Sequence, residues 1–312
     1  MSNALIIGCE GQDGRLLAKL LKEKKYSIVG SSRSITSKNT DIDEFITADL
    51  TGSSFSKLQE YIIQKCPAEI YYLSAHHKSS QESESFSNSE IENSVSVNYQ
   101  SFLKLLESCR AFSPGTRISY TSSSLIYSGK PGRSQDESTL TSPNCLYSLN
   151  KVAAMQAASF YRKRYSAFVS VGIMYNHESI YRNDYFLSKR IVNQVRDFVA
   201  GKISKITIGS LDSVTDWGYA LDYVEALWHT LQLPLSGDYI VSSGKGRTVN
   251  DWIKVLEGYL KIELSKHIVV DQGLLSRTKP TLIGDNSKIL LTGWKPRNSF
   301  EDMVIKIYDN KI

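Results

Sequence analysis

Cysteine is sparse, no apolar run is long, and neither sign of charge forms a tract in this 312-residue sequence. Cys9, Cys66, Cys109 and Cys145 lie far apart with no Cys-x-x-Cys pair, which argues against a zinc site and a disulfide scaffold and leaves four free thiols. The apolar stretch Ala4 to Ile7 is too short for a signal-peptide core and follows no basic leader, and no segment has the length to span a bilayer. A cytoplasmic protein without a membrane partner is therefore expected. The formal charge is +5, but the basic residues are dispersed. That pattern argues against a nucleic-acid partner and fits a small substrate carrying a diphosphate. Adjacent histidines, His76 and His77, point in different directions and lack a completing carboxylate or cysteine set, so no metal is expected; lining the mouth of a site suits them better.

What is present is a cadence. Ala4 to Ile7, Tyr26 to Gly30, Phe45 to Ala48, Ala68 to Leu73, Arg117 to Thr121 and Ala167 to Ile173 read as strands. Between them Arg15 to Lys24, Phe55 to Cys66, Val95 to Cys109 and Tyr147 to Tyr165 read as helices. This βα alternation predicts an α/β fold, a Rossmann-type parallel sheet with helices on both faces. Beyond about Tyr175 the cadence loosens: 175–190 and 204–223 look loop-rich, with one clear helix at Val249 to Lys261. The expected organisation is a cofactor-binding domain over 1–174, with contributions from about 204–232. Residues 175–312 are then mainly a smaller C-terminal substrate-binding lobe, interleaved with the first domain.

The turn after the first strand reads Gly8-Cys9-Glu10-Gly11-Gln12-Asp13-Gly14 and opens a helix. Glycines spaced this way turn the chain tightly, let its backbone approach a pyrophosphate and leave helical N–H donors facing it. Gly8, Gly11, Gln12, Asp13 and Gly14 are thus candidate dinucleotide contacts. A carboxylate at the end of the second strand would select NAD; here stand Ser31-Ser32-Arg33-Ser34, with no acid before Asp41. Arg33 suits a 2′-phosphate, so NADP is expected, with NAD the alternative if Arg33 is only a solvated residue. Asp49 and Leu50 are placed either to flank the adenine or to serve as a cap and a core side chain. Leu73 ends the fourth strand and Ala75 follows it, and both are expected along the cofactor channel. Asn98 either organises backbone and water near the nicotinamide or caps a local turn.

The chemistry is expected at Ser123, Tyr147 and Lys151. Tyr147 and Lys151 lie four apart on one helix face, and the serine cluster Ser122-Ser123-Ser124 ends the preceding strand. An ammonium beside the phenol is expected to lower its pKa and to hold the nicotinamide ribose, so that Tyr147 exchanges a proton with a substrate oxygen that Ser123 binds.

Together these residues resemble the extended short-chain dehydrogenase/reductase family. The Gly-Gln-Asp-Gly wording, Asn176-His177-Glu178-Ser179, the stretch Gly209 to Gly218, Asp222 to Ala226, Leu282 to Asp285 and Gly293-Trp294-Lys295-Pro296 are similar to GDP-mannose 4,6-dehydratases across nearly the whole chain. Part of this wording is shared with GDP-4-keto-6-deoxymannose reductases. The resemblance implies a nucleotide-diphosphate sugar substrate, GDP-linked by preference, with Ser124, Asn176, Glu178, Lys189, Arg190 and Arg277 as substrate contacts. It also implies a homodimer through helices 95–109 and 147–165, or a homotetramer. Two departures matter. The family places a glutamate two residues before the tyrosine of its serine-rich segment, where this chain has Leu125, which cannot transfer a proton. Thr215 and residues 275–280 also depart from the family's substrate-binding pattern. From the sequence alone, the first reading is an NADP(H)-dependent oxidoreductase working at sugar C4, as a 4-keto reductase or 4-dehydrogenase. The alternatives are a GDP-mannose 4,6-dehydratase whose acid/base is relocated to Glu178, Asp184 or a histidine, a nucleotide-sugar epimerase, and a non-catalytic dinucleotide-binding regulatory protein.

Overall fold

The computed structural model describes residues 2–52, 54–77, 86–129, 133–274 and 281–312. In chain order the strands are β1 (Asn3–Ile7), β2 (Ser27–Ser32), β3 (Glu44–Thr47), β4 (Glu69–Tyr72), β5 (Arg117–Ser123), β6 (Val169–Met174), β7 (Asn176–Glu178), β8 (Ile206–Ile208), β9 (Val214–Tyr219), β10 (Asp238–Val241), β11 (Gly246–Thr248) and β12 (Ile268–Val270). Seven of them make one sheet in the order β10-β6-β5-β4-β1-β2-β3, and every pairing in it is parallel. The order reverses between β1 and β4, so the loops leaving these two strands flank the crevice where open parallel sheets take their ligands.

The central strands are apolar because both of their faces are covered; every residue of β4 and β6 is buried. The covering helices are α1 (Gln12–Glu23), α2 (Phe55–Lys65), α3 (Asn88–Val95), α4 (Ser101–Phe112) and α5 (Leu146–Tyr165). Helix α1 buries Leu16, Leu17, Leu20 and Leu21. Helices α3 and α4 are continuous through a π-helical turn at Ser96–Gln100. The rest of the chain adds α6 (Leu187–Val199), α7 (Ala220–Gln232), α8 (Val249–Leu260), α9 (Ser287–Leu290) and α10 (Phe300–Asp309).

The boundary near residue 174 is interleaved more deeply than the sequence suggests. Helix α7 packs beside α1, and β10, from beyond 232, is the seventh strand of the main sheet. A second core gathers α6, α8, α10 and β9 around Ile191, Val195, Trp217, Trp252, Leu256 and Met303. Segment 204–223, which looks loop-rich in sequence but is expected to contribute strand and helix, supplies β8, β9 and the start of α7. Helix α7 buries eight of its thirteen residues, and a helix apolar on most of its surface loses the alternation that betrays it in sequence. Among the described residues no helix is long and apolar enough to cross a membrane, and no cluster of three His, Cys, Asp or Glu side chains could hold a metal.

Candidate active site

The glycine-rich turn has the geometry that a dinucleotide requires. Gly8 adopts φ +97°, open to glycine, and donates its N–H to the Ser31 carbonyl at 2.7 Å. A Cβ on Gly14 would fall 2.3 Å from the Gly8 carbonyl oxygen, so only glycine lets α1 approach the turn this closely. Helix α1 begins at Gln12 behind Gly11 as its N-cap, with no side chain capping it, leaving its first N–H groups facing the crevice. Nearby, the Ser31 hydroxyl is buried without a hydrogen-bond partner. These features fit a bound pyrophosphate and adenosine.

Arg33 is exposed just beyond the end of β2; the Asp49 carboxyl is lowered mainly by its hydrogen bonds from Thr51, with a smaller contribution from the Arg33 charge. Glu10 accepts from the Lys38 and Asn39 N–H groups and pairs with Arg15 at 2.9 Å, bracing the loop that follows Arg33. Asp49 accepts from the Thr51 N–H and hydroxyl, and Leu50 is a buried core residue whose carbonyl accepts from Ser96 and Ser101. Leu73 packs against the core, and Ala75 is exposed at the crevice.

Ser123 ends β5 and Tyr147 stands in the first turn of α5, close enough that the serine hydroxyl draws the phenol's pKa down, though less than burial raises it. Lys151, one turn on and buried, donates to the Thr121 carbonyl at 2.7 Å, with its ammonium 5.5 Å from the centre of the Tyr147 ring. The three expected catalytic side chains thus meet. Their ionisation does not follow the expectation. Burial pushes the Tyr147 phenol up to about 12 and brings Lys151 down to about 7. Ser124 is buried in the short turn that follows.

Asn98 lies in the π-helical turn, fully buried. It accepts from the His76 N–H at 3.0 Å and donates to the His76 carbonyl at 2.8 Å, gripping the loop after β4 from both sides. Its amide also donates to Ser94, which accepts from Asn150 of α5. One network therefore ties α5 to the histidine loop. Across the site, the His77 ring packs edge-on against the Tyr147 ring at 4.5 Å.

The sequence treats Gln12 and Asp13 as cofactor contacts, but their side chains make a clasp to the segment after β6. Gln12 donates to the His177 carbonyl at 3.0 Å and accepts from the Ser179 hydroxyl at 2.9 Å. His177 Nε2 lies 3.0 Å from both Asp13 oxygens, and Nδ1 lies 2.6 Å from the Tyr175 carbonyl. A carbonyl and an ionised carboxylate only accept, so both contacts are hydrogen bonds when His177 is an imidazolium. Burial works against this charge, but the Asp13 carboxylate outweighs it and holds His177 above its ordinary value; Asp13 is held below its own by the same pair.

The substrate candidates divide. Asn176 is exposed on β7 and Arg190 is half-buried on α6. Glu178 is buried, accepting from Ser188 at 2.6 Å and paired with Arg182 at 3.1 Å. Lys189, also buried and lowered by that burial, donates to the Ile180 carbonyl. Arg277 lies outside the described residues. Sequence reasoning gives no role to a cavity of about 280 Å³ in the C-terminal lobe, lined by Gly209, Ser210, Asp212 and Asn250 among others. Asp216 holds the neighbouring loops together, accepting from Ser243, Gly244 and Gly284.

Comparison with known proteins agrees with this architecture. Residues 5–307 match the family model described as GDP-mannose 4,6 dehydratase. GDP-mannose 4,6 dehydratase 2 of Arabidopsis thaliana is 32% identical, over 99% of this chain and 86% of its own. The Homo sapiens GDP-mannose 4,6 dehydratase is 30% identical, over 96% and 89% respectively. Among solved structures, dTDP-glucose 4,6-dehydratase of Bacillus anthracis, in complex with NAD, superposes with a TM-score of 0.82 at 18% identity, covering 99% of this chain and 96% of its own. A putative epimerase of Burkholderia cenocepacia gives 0.85 at 17% identity, covering 99% and 97%.

Proposed function

The chain belongs to the GDP-mannose 4,6-dehydratase family, and on that premise we propose that it removes water from GDP-mannose to give the 4-keto-6-deoxy sugar, using NADP. The observation that carries the reading is the meeting of Ser123, Tyr147 and Lys151 at the carboxyl ends of the parallel strands, in a chain whose curated relatives are dehydratases. Those relatives favour dehydration over simple oxidoreduction at C4, which the sequence alone puts first.

The bound dinucleotide supplies a hydride acceptor and donor at its nicotinamide. The turn at Gly8, Gly11 and Gly14, with the N-terminus of α1, would hold its pyrophosphate, Arg33 the 2′-phosphate, and Lys151 the nicotinamide ribose. Ser123 orients the C4 oxygen, and Tyr147 exchanges the proton of that oxygen. The lobe cavity near Gly209 suits the nucleoside half of the substrate, with Asn176 and Arg190 as further substrate contacts. NAD remains the cofactor if Arg33 does not engage a phosphate. We place a homodimer at α4 and α5, where a shallow apolar groove is lined by Tyr99, Leu103, Ala157 and Phe160; a homotetramer is the larger alternative.

Leu125 is the observation that favours a second reading, a C4 oxidoreductase without elimination. Mass spectrometry of GDP-mannose after incubation with the protein and NADP⁺ separates the two. A product lighter by one water supports the dehydratase. A product lighter only by two hydrogens, or C4 reduction of a supplied keto sugar without water loss, refutes it.

A further inference from the structure

A sugar nucleotide is recognised at two ends, and the chemistry at Tyr147 reads only the sugar. We propose that Asp212 selects the base at the other end, and that the base it selects is guanine, an inference that rests on the GDP-mannose reading above.

The cavity of about 280 Å³ lies between the loop that leaves β8, the first turn of α8 and the end of β12. Its walls are of two kinds. Leu211 and Val270 are apolar, with Val270 49% exposed on β12, while Ser210, Asp212, Asn250 and Gln272 are polar. Apolar surface edged by a few polar groups is what a flat heterocycle needs, since its faces are buried against hydrocarbon and its rim is read by hydrogen bonds.

Backbone groups hold this frame in place. Strand β12 pairs with β8 in parallel, the Asn250 N–H donates to the Leu211 carbonyl at 3.0 Å, and the Asp212 N–H donates to the Ser210 hydroxyl at 3.3 Å. The longer side chains are not used in it. Among the described residues, the Asp212 carboxylate and the side-chain amides of Asn250 and Gln272 enter no hydrogen bond or ion pair. Neighbouring acids differ: Asp216 accepts from Ser243, Gly244 and Gly284, and Asp271 accepts from the Gly273 N–H at 2.9 Å. Asp212 is the one acid among the described lining residues, and both of its oxygens are open.

The choice of base follows from its donors. A carboxylate only accepts, and it does so at two parallel oxygens. Guanine presents N1–H and the N2 amine side by side, at the spacing of those oxygens. Adenine and cytosine set one amine beside a bare ring nitrogen whose lone pair would face the carboxylate, and the N3–H of uracil stands between two carbonyls. Guanine alone among these satisfies both oxygens, and a site built for a pair of donors rejects a base that lacks one. The amides of Asn250 and Gln272 can supply a donor for the O6 acceptor that flanks N1.

The test titrates the NADP⁺-loaded enzyme calorimetrically with GDP, IDP, ADP and UDP, and titrates Asp212→Asn with GDP and xanthosine diphosphate. IDP keeps N1–H and lacks the N2 amine; xanthine carries a carbonyl in place of that amine, to which an asparagine amide can donate. The expected result is that wild type binds GDP about 10- to 100-fold more tightly than IDP, the worth of one charge-assisted hydrogen bond, and that Asp212→Asn binds xanthosine diphosphate more tightly than GDP. That gain cannot come from a damaged fold. Unchanged GDP affinity in Asp212→Asn, with GDP-mannose still dehydrated by wild type, overturns the role of Asp212 and leaves the dehydratase reading intact. Weaker GDP binding with no gain for xanthosine diphosphate also overturns it, since general damage to the lobe behaves that way. A wild type that prefers ADP or UDP to GDP and leaves GDP-mannose unconverted refutes the GDP-mannose reading, and this inference with it.

Discussion

Replacing Asp13 with asparagine keeps the shape of the clasp and removes its charge, and the structure fixes how the consequence depends on pH. The pair is mostly shielded, with Asp13 and His177 side chains 21% and 12% exposed. A hydrogen bond to a charged group at such a site contributes about 1.5–3 kcal/mol. Because the folded value of His177 is raised, its contribution is complete below the unfolded value of about 6.5 and is lost as pH climbs through the folded value. Asp13 works the other way: its folded value is lowered, so its contribution is complete above about 3.9 and is lost as pH falls through that lower value. The pair is therefore worth most between about pH 4 and 6.5. An asparagine there donates to a neutral His177 Nε2 while Nδ1–H still serves Tyr175, so the variant has little to lose in alkali. At about 2 °C per kcal/mol for a chain of this size, Asp13→Asn lowers the melting temperature by roughly 3–6 °C near pH 6 and by much less near pH 9. Paired thermal melts at the two pH values measure this directly. A melting difference that does not change with pH would refute the imidazolium and with it the electrostatic account of the clasp.

Two further outcomes follow from the sites proposed above. Arg33→Ala weakens NADP⁺ binding by about 10- to 100-fold, the worth of one charge-assisted hydrogen bond, and leaves NAD⁺ binding unchanged; equal effects on both in a fluorescence titration would remove Arg33 from the 2′-position. Phe160 is 55% exposed at the α4/α5 groove. Phe160→Asp is expected to turn a sedimenting dimer into a monomer with an unchanged circular dichroism spectrum, and a dimer that survives the substitution locates the interface elsewhere.

The main sheet was legible in the sequence because its strands are short apolar runs separated by amphipathic helices, and the glycine turn stands where that alternation begins. Helix boundaries came out one to three residues off at α1, which starts at Gln12 rather than Arg15, because Gln12 and Asp13 look like turn residues until their partners at 177–179 are in view. The second half was harder. Helix α7 buries too much of its surface to show a polar stripe, while α6 does carry the spacing, Leu187, Ile191 and Val195, that would have revealed it. The meeting of Ser123, Tyr147 and Lys151 was readable because Tyr147 and Lys151 share a helix, whereas the partners of Glu178 and Asp13 were not: a carboxylate in a motif looks the same whether it faces a ligand or is locked to Arg182 or His177.

The same limit applies to the ionisation of Tyr147 and Lys151. As free side chains their pKa values nearly coincide, at about 10 and 10.4. Burial penalises each charged form, so it raises the acid and lowers the base, and the pair separates to about 12 and about 7. The phenol is thus protonated across the neutral range, ready to donate to a carbonyl, while the lysine is only partly charged. Taking a proton from an alcohol requires the reverse, and the chain's own residues supply one lysine charge that burial has already weakened. A second positive charge beside the phenol would draw its pKa down, and an oxidised nicotinamide carries one. The residue pair read from the sequence therefore specifies the geometry of proton transfer, while its direction depends on which charge is bound next to it.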